Sequence, residues 1–160
     1  MAASTYEIFQ RAERIERAAA DMYRLMAESF PWSAEDVALF KRLEQEEIQH
    51  AARIRLLASQ YRNEPRLFHV DGVKLGLMEQ VEAWAEELRH ELTNGRWKDD
   101  LPGLKRRVAE LEDRCGASHA DMLADRADPR IARFFHDLAA QDRAHREILL
   151  RSTHGSGKSR

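Results

Sequence analysis

Cysteine is nearly missing from this chain. Of 160 residues only Cys115 carries a thiol, so no internal disulfide can form and no paired-cysteine metal knuckle exists. Seven glycines, four prolines and few β-branched runs give almost no strand signal, and no Asn-Gly pair has alternating apolar flanks. No run approaches 18 consecutive apolar residues, so no membrane span is expected. The N-terminal "MAASTYEIFQRAERIERAAA" is charged and amphipathic, unlike a secretory leader. Neither sign of charge dominates: 26 basic and 28 acidic side chains are interspersed for a net charge of −2. With no basic patch, a nucleic-acid partner is not expected. What remains is 43% hydrophobic and 34% charged, a globular composition. The expectation is a cytoplasmic protein with one domain over residues 1–152 and a flexible polar tail over 153–160.

Helix signals are strong, and they mark five segments. The first spans about Thr5 to Ser29, before Pro31. Ser33 caps the second, which runs to about Arg62 and stops at Pro65. The third, about Val73 to Leu92, closes on "TNG". The fourth spans about Pro102 to Asp125. The fifth has Asp128 as cap, Pro129 in its first position and an end near Arg151. Long amphipathic helices joined by short turns predict an all-α antiparallel four-helix bundle. It is built from two hairpins, 5–62 and 102–151, with an extra crossover helix over 73–92.

Apolar residues recur at steps of three and four along each long helix, but ionisable residues interrupt them. The second helix aligns Phe40, Leu43, Glu47, His50, Ile54 and Leu57. The fifth aligns Ile131, Phe135, Leu138, Asp142, His145 and Leu149, so Glu-x-x-His returns as Asp-x-x-His 95 residues on (50 to 145). The first helix aligns Phe9, Ala12, Glu16, Ala19, Tyr23 and Met26; the fourth aligns Val108, Glu112, Cys115, His119 and Met122. Here the displacement is 96 residues (16 to 112, and 23 to 119). The chain reads as a duplicated helical hairpin.

Each copy turns one lone carboxylate and one carboxylate-x-x-histidine pair toward the core. An unpaired buried charge is costly, and six such groups offset one another best around a cation. Glu16, Glu47, His50, Glu112, Asp142 and His145 are therefore candidate metal ligands. Oxygen and imidazole donors without thiolate suit iron or manganese, with zinc possible. Tyr23 and His119 are candidate catalytic groups that hydrogen-bond to ligands or gate access, and His119 could ligate directly. The plainer alternatives are an intrahelical salt bridge at Glu47 and His50, and a structural hydrogen-bonded pair at Asp142 and His145. Cys115 reads as a small buried hydrophobe; Glu46, Gln49, Glu79 and Glu82 read as solvated.

The segments "ERAAADMY", "EEIQHA", "AELEDRCGASH" and "DPRIARFFHDLAAQDRAH" resemble the rubrerythrin and erythrin branch of the ferritin-like superfamily, over residues 5–62 and 102–151. The resemblance implies two irons held by the six ligands above, with Glu47 and Glu112 bridging or flanking and His50 and His145 holding one ion each. It implies hydrogen peroxide or dioxygen as substrate, in a peroxide reductase or a ferroxidase. Three positions depart from the family pattern. Asp142 stands where glutamate is usual and is shorter by about 1.5 Å. Cys115 replaces a further glutamate that exchanges ligands with redox state. No rubredoxin-type cysteines follow, so electrons would come from a separate donor protein.

Other readings are an iron-binding or buffering protein without turnover, and a degenerate bundle serving as an interaction module. A quinone hydroxylase would need an apolar membrane-docking face, which a mean hydropathy of −0.65 argues against. The third helix, read as the apolar row Leu77, Val81, Trp84, Leu88 and Leu92, is expected to cap the bundle or to pair two subunits in a homodimer.

Overall fold

Ser4, Ser33 and Asp128 each aim a side-chain oxygen at a free amide of the helix they open, those of Glu7, Asp36 and Arg130. Such caps are worth about 1 kcal/mol apiece. A computed structural model describes residues 4–67, 75–121 and 128–153. Its helices are α1 (Thr5–Ser29), α2 (Ala34–Asn63), α3 (Leu75–Thr93), α4 (Leu101–Asp121) and α5 (Pro129–Ser152), with one 3-10 turn at Pro65–Leu67. No strand occurs among the described residues, and none of their helices is long and apolar enough to cross a membrane. The expected start of the third helix at Val73, the end of the fourth at Asp125, Met122, and the tail beyond residue 153 lie outside the described residues.

The four interrupted stripes are buried as the periodicity predicts, ionisable members included. Side-chain pairs give the directions. On α1 and α2, Phe9 meets Tyr61, Glu13 meets Arg55 and Glu16 meets His50, so the two are antiparallel. On α4 and α5, Asp113 meets Arg146 and His119 meets Asp142. The hairpins then face each other: Tyr23 and Glu16 of α1 reach Glu112 and His119 of α4, while Glu46 and His50 of α2 reach His145 and Gln141 of α5. Phe9 and Phe135 stack with centroids 6.0 Å apart.

It follows that α2 and α4 run parallel at opposite corners, and the chain must travel the length of the bundle between them. α3 makes that journey. Its 19 residues span roughly 28 Å, and they end on Gly95 at φ 72°. The amides of Gly95 and Arg96 donate to the carbonyls of Leu92 and Glu91, the double bond of a Schellman stop.

α3 lies lengthwise against α1 and α4 instead of across an end of the bundle. Its buried seam is Met78, Val81, Ala85, Leu88 and Leu92, shifted from the expected row: Leu77 and Trp84 are only half-buried. Trp84 is sandwiched by the guanidinium groups of Arg107 and Arg114 at 4.0 and 3.8 Å. Glu79 is exposed, as expected, and meets Arg11 of α1; Glu82, also expected in solvent, is half-buried between Arg11 and Arg14. Glu91, which the apolar row did not include, is buried against Arg96 and Trp97.

Candidate metal centre

Stripe positions on four helices bring Glu16, Glu47, His50, Glu112, Asp142 and His145 together, each at most 2% exposed. The donors fall into two groups. One is Glu16, Glu47, His50 and Asp142; the other is Glu47, Glu112, Asp142 and His145, and within each the donor atoms lie within 4.8 Å of one another. Glu47 and Asp142 belong to both groups. Glu112, expected to bridge or flank, belongs to one.

Asp142 reaches the cluster despite its missing methylene. Gly116 of α4 faces it: a β-carbon there would stand 3.5 Å from both Asp142 Cβ and the Ala139 carbonyl. The short acid thus packs against a glycine of α4.

The histidines are oriented from outside. The side-chain amide of Gln141 donates to the Asp137 carbonyl at 3.1 Å, which turns its oxygen toward His50 Nε2 at 2.7 Å. His145 Nε2 lies 2.7 Å from Glu46 Oε2. Both partners are acceptors, so both rings donate from Nε2 and turn Nδ1 inward. There His50 Nδ1 lies 3.1 Å from carboxylate oxygens of Glu16 and Glu47, and His145 Nδ1 lies 2.6 Å from Glu47 Oε1. The two rings stack, 5.7 Å between centroids and 8° between planes. Sequence periodicity missed Glu46 and Gln141 because they lie beside the apolar stripe; their 95-residue spacing matched that of the ligands.

His119 is fully buried, with Nδ1 2.8 Å from Asp142 Oδ2 and Nε2 3.1 Å from Glu16 Oε1. Tyr23 donates a hydrogen bond to Glu112 Oε1. Cys115 is buried beside these groups, as read from sequence.

Electrostatics follow from the crowding. Burial, reinforced by Glu16 and Glu112, pushes the Glu47 carboxyl up to about 8. Burial also raises Asp142, but the nearby His119 offsets part of it and the carboxyl rises only to about 6. For Glu16 burial is outweighed by His119, and the carboxyl is held well below the usual range. Burial disfavours charged imidazoles, yet the carboxylates win, lifting His50 to about 10 and His145 to about 11. Burial and Glu112 push the Tyr23 hydroxyl well above its ordinary value.

These donors fit a divalent cation pair. Glu47 Oε1, Asp142 Oδ1, His119 Nε2 and His145 Nδ1 are buried without an aligned hydrogen bond. His145 Nδ1 and Glu47 Oε1 are nonetheless in ion-pair contact. Oxygen and imidazole donors so arranged suit iron or manganese, and also zinc. No protein-family model, curated protein or solved structure matches the chain.

Proposed function

We propose that this chain is a ferritin-like protein with a carboxylate-bridged di-iron centre, acting on hydrogen peroxide or dioxygen as a rubrerythrin-like peroxide reductase or a ferroxidase. One observation carries the reading: two buried donor groups share Glu47 and Asp142, which suits two ions held side by side. Glu16 and His50 would complete one position, Glu112 and His145 the other, and manganese or zinc could occupy the same donors. Bound ferrous ions supply the electrons for reducing peroxide or dioxygen.

The chain's own residues do the rest. Gln141 and Glu46 fix the imidazole faces. Reducing peroxide to water consumes two protons with two electrons, and the proton-bearing groups beside the carboxylates are Tyr23, on Glu112, and His119, on Asp142. The surrounding stripe residues Phe9, Leu43 and Phe135 are fully buried and exclude bulk water. A separate electron-donor protein would close a catalytic cycle.

His119 favours a second reading. It pairs with both Glu16 and Asp142 through its two ring nitrogens, which suits an iron-buffering protein or an interaction module whose cluster is not turned over. Iron content after anaerobic ferrous loading, then the near-ultraviolet spectrum on adding peroxide, separates the two. About two ions per chain with a spectral change is the expected result. Bound iron that peroxide leaves unchanged would favour buffering. No binding of iron, manganese or zinc would sink the metal centre altogether.

A further inference from the structure

The two inward histidines see the same cluster but lean on different partners. His50 hands its outer N–H to the neutral amide oxygen of Gln141, and His145 hands its own to the carboxylate of Glu46, each at 2.7 Å. Glu46 and Gln141 occupy equivalent places in the two copies. Each immediately precedes the shared carboxylate of its own helix, and each braces the histidine of the opposite helix. Only their chemistry differs.

A hydrogen bond to a carboxylate leaves more electron density on the inward nitrogen than one to an amide, and it sets a negative charge beside the site. Arg42 lies 3.6 Å from the other oxygen of Glu46; both side chains are partly in solvent, and a contact that long tempers the charge without cancelling it.

We infer that, on the dinuclear reading proposed above, the two positions are unequal and fill in order. The position of His145, Glu112 and the shared acids takes the first divalent cation; that of His50 and Glu16 takes the second. Glu46 is the positioning residue that sets the order.

Calorimetric titration of the metal-free chain with Zn(II), with the histidine ring nitrogens followed by NMR, tests this. The unmodified chain shows two resolved steps, His145 responding to the first equivalent and His50 to the second. Glu46→Gln weakens the tighter step by about 10–100-fold and draws the steps together. The exchange Glu46→Gln with Gln141→Glu restores two steps with His50 responding first, a reversal that a purely structural role for Glu46 would not give. Unchanged helical circular dichroism establishes that the variants fold. Simultaneous filling of the unmodified chain, a first equivalent at His50, or a Glu46→Gln titration identical to the parent overturns the ordering and leaves the centre standing. Failure to bind Zn(II), Mn(II) or Fe(II) at all removes the centre and the ordering with it.

Discussion

The two hairpins carry the same pattern at fixed displacements and differ where they meet the buried cluster. The first sets Ala20 on α1 and Glu46–Glu47 on α2. The second sets Gly116 on α4 and Gln141–Asp142 on α5, at the same displacements of 96 and 95 residues. Tyr23 in the first copy is His119 in the second. One copy thus has a long acid set between His50 and His145; the other has a short acid, His119 beside it and a glycine facing it. Equivalent positions thus share a place in the pattern while differing in length and charge.

The largest expected contrast is in metal-free stability. Asp142 shares the fully buried His119 with Glu16, so Asp142→Asn removes one of that imidazole's two acid partners and leaves its Nδ1 without an acid, at a cost of about 2 kcal/mol. The Glu47 carboxyl is pushed up to about 8 by burial and by Glu16 and Glu112, so neutralising it relieves part of the crowding among the acids. Glu47→Gln loses a charged partner of His50 and His145 but also removes one of the crowded acids, so it costs less, about 1 kcal/mol. Urea unfolding in chelator at pH 7 measures both. Equal losses would mean that the two acids sit in equivalent electrostatic settings after all.

A smaller contrast separates the metal-free from the loaded chain. Burial works against the charge on His50 and His145, but their carboxylate neighbours lift them from 6.5 to about 10 and about 11. A group raised in the folded state gives stability that is complete below its ordinary value and is lost as pH climbs through the folded one. Glu47, raised from 4.5 to about 8, likewise binds more protons folded than unfolded between those values. All three make the metal-free chain less stable from about pH 6.5 upward. Bound zinc competes with the same protons, so its stabilisation grows as pH rises. Melting temperatures between about pH 6.5 and 9, with chelator and with Zn(II), should therefore slope in opposite directions. Glu47→Gln should flatten the metal-free slope more than Asp142→Asn does.

Helix positions and the buried stripes were legible in the sequence, because a period of 3.6 and a fixed displacement survive in any one-dimensional reading. All six candidate ligands, with Tyr23 and His119, fall in one cluster for that reason. The outer braces were not legible. Glu46 sits one residue round the helix from the stripe, where side chains are normally solvated, and only the facing of α2 on α5 gives it His145. The lengthwise packing of α3 was equally hidden. Trp84 looks apolar in a periodicity count but lies outward, because two arginines of α4 cover its faces.

The smallest expected effect tests whether Gly116 and Asp142 are matched. A β-carbon on Gly116 would stand 3.5 Å from the Ala139 carbonyl and from Asp142 Cβ, ordinary van der Waals contact, so Gly116→Ala is tolerated. By helix propensity it gains about 0.5–1 kcal/mol, and Ala20→Gly in the other copy loses about as much. Lengthening the acid is different, because Asp142→Glu needs room for a methylene that the open face of Gly116 leaves free. Making both changes fills that room twice. A thermodynamic cycle over Gly116→Ala and Asp142→Glu should therefore show unfavourable coupling above about 0.5 kcal/mol, whereas Ala20→Gly and Asp142→Glu, which act in different hairpins, should add. If the first pair also adds, the glycine is not what lets the shorter acid reach the cluster.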